Sequence, residues 1–275
     1  MVSSANRILE DPRFVISAHM STAGLQRHRC RSTSIMAGTT LRLMTYNIQG
    51  GAASKRPGHL EEIAAVISSA GVDLVALQEV HRNTAGSRGI DQLEMLAGHT
   101  GMIPCFGKSR SHGGGGSYGN AVLTNVPLIE ATTRMLPGSG EPRSLLETRL
   151  EVGTCQVHVF VTHLTAWGPF GRRNRMNQTV AVAAILEQST IPFVLAGDFN
   201  STPTSRELQN FHSGTSVSSC MPSGAVTFPV TRQCLDYVFV DKRCTFRNAR
   251  VLRTGPSDHW PLLVDIVLPE TASPD

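Results

Sequence analysis

Short apolar segments, each closed by a polar or acidic residue, recur along this chain. The clearest is Ile191-Pro192-Phe193-Val194-Leu195-Ala196, which stops abruptly at Gly197-Asp198-Phe199-Asn200. An apolar run of this length, bounded by Pro192 and polar residues, predicts a strand buried on both faces. In α/β proteins such strand ends are where chemistry is placed. Asp198 and Asn200 also suit a simple turn, so the pattern gains meaning only if other strands end in the same way.

They do. Leu41 to Tyr46 alternates as a strand should and delivers Asn47, ahead of a Gly50-Gly51 turn. His59 to Ala70 carries Leu60, Ile63, Ala64, Val66 and Ile67 at helical spacing and stops at Gly71. Asp73 to Gln78 reads as a strand ending in Glu79. Residues 91–100 predict a helix and Met102 to Phe106 a strand. Ser111 to Ser117, with its four glycines, reads as a surface loop, since no Lys-Ser/Thr and no helix follow to make it a phosphate cradle. Tyr118 to Thr124 predicts a strand that starts at polar residues including Asn120. Leu145 to Val152 and Val157 to Leu164 predict two more, the second holding His163.

Arg172 to Gln188 predicts a helix with Val180, Val182, Ala183, Ile185 and Leu186 inward. Arg172, Arg173 and Arg175 crowd its start, where the helix dipole disfavours cations, so an anion beside them or a solvated charged face is expected. Thr202 to Leu208 reads as the start of a short helix with Pro203 in its first turn, and 212–230 as loop. Leu235 to Val240 predicts a strand with Asp236 near its start. A strand at Ala249 to Arg253, the loop Ser257-Asp258-His259-Trp260-Pro261 and a last strand from Leu262 to Val267 complete the body.

The 275 residues are 40% hydrophobic and show no internal repeat, so one domain at 40–268 is expected. Residues 1–39 lack periodicity and predict a disordered leader; Met20 and Met36 are alternative starts, and the Arg/Ser-rich composition is also that of an organelle transit peptide. Residues 269–275 predict a frayed tail. Of the net charge of +4, the leader holds +3, leaving the body near neutral. A phosphate-bearing partner would then be held by local arginines, not by a broad basic face. The six cysteines form neither C-x-x-C nor a zinc spacing, which suggests reduced thiols and a cytoplasmic protein. No apolar stretch reaches membrane-spanning length, so no stable membrane insertion is expected, and a monomer is the simplest assembly.

Asn47, Glu79, Asn120, His163, Asp198, Asn200, Asp236, Asp258 and His259 thus all fall at or beside predicted strand ends. Carboxylates and asparagines without a thiolate make a hard oxygen donor set suited to Mg²⁺ or Mn²⁺. Asn and His donors beside such an ion suit a phosphoryl group whose charge grows in the transition state. Metal-assisted hydrolysis of a phosphoester is the chemistry this combination fits.

Thr45-Tyr46-Asn47-Ile48, Leu77-Gln78-Glu79, Tyr118-Gly119-Asn120-Ala121, Thr162-His163-Leu164, Gly197-Asp198-Phe199-Asn200, Asp236-Tyr237 and Ser257-Asp258-His259-Trp260-Pro261, in this order, resemble the endonuclease/exonuclease/phosphatase (deoxyribonuclease I-like) superfamily. The likeness runs from about residue 41 to 267. It implies a four-layer α/β/β/α sandwich, two packed mixed sheets flanked by helices, with the site at one end of the sheets. It also implies that Glu79, Asn47 and Asp258 hold the metal and that Asn120, His163 and Asn200 hold the phosphate. Asp198 would orient or deprotonate water, and His259, oriented by Asp236, would act as a base or charge stabiliser; both remain candidates for the base. Val80-His81 after Glu79 departs from the exonuclease III type. Asn120 stands where deoxyribonuclease I has a carboxylate.

The expected activity is a Mg²⁺- or Mn²⁺-dependent phosphodiesterase, with nucleic acid among its candidate substrates. Alternatives are a phosphatase or phosphodiesterase for a small or lipid phosphoester, and an inactive binding module on the same fold.

Overall fold

The computed structural model describes residues 39–50 and 56–270. The leader, apart from Thr39, Gly51 of the expected turn and the last residues of the tail lie outside the described residues. In chain order the elements are β1 (Thr40–Asn47), α1 (His59–Ala70), β2 (Leu74–Arg82), α2 (Gln92–Thr100), β3 (Ile103–Ser111), β4 (Ser117–Thr124), β5 (Leu128–Leu136), β6 (Arg143–Val152), β7 (Cys155–His163), α3 (Gly171–Leu186), β8 (Phe193–Asp198), α4 (Arg206–Gly214), β9 (Val217–Ser219), β10 (Asp236–Asp241), β11 (Thr245–Val251) and β12 (Leu262–Val267). The strands form two six-stranded mixed sheets, ordered β11-β12-β1-β2-β4-β3 and β5-β6-β7-β8-β10-β9.

Strand alternation sorts the side chains into layers. Leu41 and Leu43 of β1 face the inter-sheet core with Leu74, Ala76, Val122, Val157, Val159, Val161, Val194, Ala196, Val238 and Val240. Met44, Tyr46, Val75 and Leu77 face the other way, against Leu60, Ile63 and Ile67 of α1 and Leu93 and Leu96 of α2. On the second sheet Phe160, Leu195 and Phe239 meet Val182 and Leu186 of α3 and Leu208 and Phe211 of α4. Helix, sheet, sheet, helix is the four-layer sandwich expected above.

The same period of two positions the chemistry. Counting on from the inter-sheet residues by twos gives Asn47 after Leu43, His163 after Val161 and Asp198 after Ala196. Counting back by two gives Asn120 before Val122 and Asp236 before Val238. β1 pairs parallel with β2, β7 pairs parallel with β8, and β4 and β10 run antiparallel to their neighbours. Strand direction therefore brings all five to the same end of the inter-sheet layer.

Several boundaries differ from the sequence reading. β2 does not end at Glu79 but runs to Arg82, with a register shift between Leu77 and Val80 and Glu79 at a φ of 62°. By alternation Glu79 would follow Val75 and Leu77 toward the helices; the bulge and left-handed φ turn it to the site. β5 escaped notice because it is mostly exposed and carries no apolar alternation, and β9 because it spans three residues. Pro203 precedes the helix, which starts after Ser205. Gly113–Gly115 make a single 3₁₀ turn that links β3 to β4, with His112 N–H donating to Gly116 O at 2.7 Å. The five described cysteines are free thiols.

α3 departs furthest. Its buried side holds Asn174, Arg175, Gln178 and Thr179 as well as Val182 and Leu186, whereas Val180 is exposed. Arg175 answers no external anion: its Nε donates to Glu207 Oε1 at 2.8 Å and its Nη1 to the Thr165 and Ala166 carbonyls. Arg172 and Arg173 are exposed.

Candidate active site

β8 opens the site through Gly197. Its φ is 149°, and a Cβ there would lie 1.9 Å from Thr162 O on the paired strand β7. Only glycine allows this close approach, which brings β8 against β7 where both end. Asp198, the next residue, is 1% exposed and gathers the site around one oxygen. Oδ2 accepts from Asn47 Nδ2 at 3.0 Å and lies 3.5 Å from His163 Nε2 and 3.7 Å from His259 Nε2. Oδ1 accepts the backbone N–H of Asn200 at 2.8 Å, an Asx turn that holds Asn200 at a φ of 49°. The Asn200 amide also donates to Leu164 O at 3.1 Å.

His259 reaches the site from the loop ahead of β12, and its Nδ1 lies 2.8 Å from Asp236 Oδ2. Two residues that the sequence reading passed over fix this pair. Thr227 Oγ1 accepts the N–H of both Leu235 and Asp236, and the Phe228 ring lies 4.8 Å from the His259 ring. Both sit in a stretch read as plain loop, which carries no periodic signal.

Asn47 bridges the two halves: its Nδ2 also donates to Glu79 Oε1 at 3.2 Å. Asn47 Oδ1 accepts Gln49 N–H at 3.0 Å, and Gln49 Nε2 donates to Asp258 Oδ2 at 2.8 Å. Ser257 Oγ donates to Asn47 O at 2.7 Å, tying the Asp258 loop to β1. Asn120 sits deeper; its amide donates to Ser144 O at 3.0 Å and Val161 O at 3.4 Å, lacing β4 to the opposite sheet. All nine candidate residues therefore fall at one end of the sandwich, and Arg143, which the sequence reading did not single out, joins them with Nη1 3.0 Å from His163 Nδ1.

Burial in a crowd of carboxylates sets the charges. Burial alone would push the His259 imidazole down, but the charge and hydrogen bond of Asp236, with Asp198 and Asp258, overcome it and hold the pKa up to about 10. Burial, then the Asp236 charge, raises Asp198 against the opposing pull of His259 and of the Asn200 and Asn47 donors. Glu79 is raised first by burial and then by Asp258, although Asn47 donates to it. His163 is held well below the usual imidazole value by burial, Arg143 and His259.

These shifts describe a site with more buried negative charge than its own cations neutralise. Asp236 Oδ1 is buried without a hydrogen-bond partner. Ligand atoms of Asp198, Asp236 and His259 all lie within 4.8 Å of one another, close enough to hold a metal ion. The oxygen-rich donor set and the raised Glu79 fit a hard divalent cation.

A family model described as endonuclease/exonuclease/phosphatase family matches residues 44–259. The chain belongs to this family. A solved endonuclease/exonuclease/phosphatase from Beutenbergia cavernae is 28% identical, with a TM-score of 0.73 over 84% of this chain and 72% of that one. The catalytic domain of human Nocturnin, solved with a bound sulfate anion, is 22% identical with a TM-score of 0.68, covering 83% of this chain and 94% of that one. A family member from Bacteroides vulgatus is 18% identical with a TM-score of 0.70, covering 84% and 99%. No curated protein matches the chain. Among the described residues no helix is long and apolar enough to cross a membrane.

Proposed function

We propose that this family member is a Mg²⁺- or Mn²⁺-dependent phosphodiesterase that acts on nucleic acid. The observation that carries the reading is the convergence of Asn47, His163 and His259 on the single oxygen Asp198 Oδ2. One carboxylate surrounded by donors that a water and a phosphoryl group can share suits in-line attack on phosphorus.

Glu79, Asn47 and Asp258 would hold the metal, which supplies Lewis-acid stabilisation of the phosphoryl oxygens. Asp198 orients the attacking water and takes its proton. A His259 already protonated near neutral pH cannot accept one, so it serves as the charge stabiliser, held in place by Asp236. His163 donates to a phosphoryl oxygen. Asn200 keeps one amide hydrogen for the phosphate beyond that given to Leu164, and Asn120 would join it by exchanging its longer bond to Val161. The products are a phosphate monoester and an alcohol, with no covalent enzyme intermediate.

Trp167 and Phe170 are exposed on the loop that follows His163, and Arg172 and Arg173 come directly after them. Planar rings beside arginines suit stacked bases and backbone phosphate, which supports the nucleic-acid reading. The near-neutral body supports a second reading, a small or lipid phosphoester. A Mg²⁺/Mn²⁺ panel of single- and double-stranded nucleic acids, nucleotides, inositol phosphates and phospholipids, run on wild type and Asp198→Asn, separates the two. Cleavage of nucleic acid by wild type alone is expected. Turnover confined to lipids or small esters would replace the first reading with the second.

A further inference from the structure

Arg143 is 5% exposed, yet it lacks the counterion that a buried guanidinium needs. The one carboxylate in an ion pair with it, Glu141, lies 3.6 Å from Nη2, beyond charge-assisted hydrogen-bond length, on a residue that is itself exposed. Its Nε is buried with no hydrogen-bond partner. Its Nη1 lies 3.0 Å from His163 Nδ1. The Glu79 carboxylate is close enough to feel its charge. A buried cation therefore borders the site with an unused donor.

The contact with His163 fixes more than position. Arginine can only donate, so His163 Nδ1 must be the acceptor and carry no proton. In the neutral ring the proton then sits on Nε2, the nitrogen 3.5 Å from Asp198 Oδ2. His163 is thus set as an Nε2–H donor toward the place where Asp198 holds its water.

We infer that Arg143 and His163 form an oxyanion pocket in which the free Nε–H of Arg143 and the Nε2–H of His163 bind non-bridging oxygens of the scissile phosphate. This rests on the proposed phosphoester hydrolysis and adds to it an anion subsite that the motifs do not contain. Arg143 has two functions there: direct contact with the phosphate, and positioning of the His163 proton. Both follow from its being a fixed fork, which lysine cannot reproduce.

The test uses the full chain with Arg143→Met and Arg143→Lys, each checked for folding by circular dichroism. Nitrogen-15 NMR of His163 should show one tautomer, Nε2–H, in the wild type and a mixture or the opposite tautomer in Arg143→Met. Binding of inorganic phosphate should weaken at least about tenfold in Arg143→Met and less in Arg143→Lys. On any phosphoester the wild type turns over, kcat/KM should fall by about 10²-fold in Arg143→Met, and added guanidinium should restore part of it. If Arg143→Met does not fold, Arg143→Lys carries the same measurements. An unchanged tautomer together with unchanged phosphate affinity would overturn the inference and leave hydrolysis standing. Weakened phosphate binding in a protein that hydrolyses no phosphoester would instead uphold the pocket and remove the catalytic reading.

Discussion

His259 and Asp236 form a buried pair, Nδ1 to Oδ2 at 2.8 Å, with the far nitrogen of the imidazole 3.7 Å from Asp198. The imidazolium is therefore held between two carboxylates, and its raised pKa follows from that arrangement.

Replacing Asp236 by Asn removes the larger opposing charge and leaves burial to act on His259. Its pKa should fall from about 10 to below the ordinary imidazole value, as read by NMR titration of the metal-free protein. The sign for stability follows. A folded pKa above the unfolded one stabilises fully below about 6.5, and that stabilisation is lost as pH rises through about 10. Wild type should exceed Asp236→Asn by about 3 kcal/mol at pH 6.5, and the gap should shrink by pH 10.5 in urea denaturation. Turnover in the variant should fall by about 10²–10⁴-fold.

Glu79 is a half-buried carboxylate whose charged form is costly without a cation. Glu79→Gln should make the metal-free protein more stable at neutral pH. It should also abolish the rise in Tm that Mg²⁺ or Mn²⁺ gives the wild type, about 2.7 kcal/mol at a hundredfold excess over Kd. Thermal unfolding with and without EDTA measures both. An unchanged metal response in the variant would remove Glu79 from the ligand set.

Arg175 and Glu207 form a buried ion pair, whereas Arg172 and Arg173 are exposed. Arg175→Ala should cost about 3–5 kcal/mol because it leaves Glu207 buried and uncompensated. Arg172→Ala and Arg173→Ala should each stay within about 0.5 kcal/mol of wild type in the same denaturation series.

Gly197→Ala puts a methyl group 1.9 Å from Thr162 O. β7 and β8 must separate, at a cost above about 4 kcal/mol, and soluble yield and Tm should both collapse.

The hydrophobic alternation carried most of this architecture, because β1, β4, β7, β8 and β10 are buried and their period of two is undisturbed. It also placed Asn47, Asn120, His163, Asp198 and Asp236, which continue the inter-sheet register. What it could not carry depends on breaks in that register. Glu79 is brought in by a bulge, and no side-chain pattern announces a left-handed residue at a glutamate. Arg143 reads as a surface charge beside Pro142 until the fold buries it. The polar face of α3 inverts the usual rule, since Arg175 and Gln178 are interior and Val180 is outside. The missed strand β5 lies on a sheet edge, where exposure removes the need for apolar alternation.

The central claim is that this end of the sandwich hydrolyses phosphoesters with the aid of a metal. The most direct measurement is release of nitrophenol from bis(4-nitrophenyl) phosphate by wild type and Glu79→Gln, each with Mn²⁺ and with EDTA. Turnover by wild type with metal, and a loss of at least about 10²-fold in the other three conditions, is the predicted result. Turnover that survives both EDTA and the loss of Glu79 would contradict it.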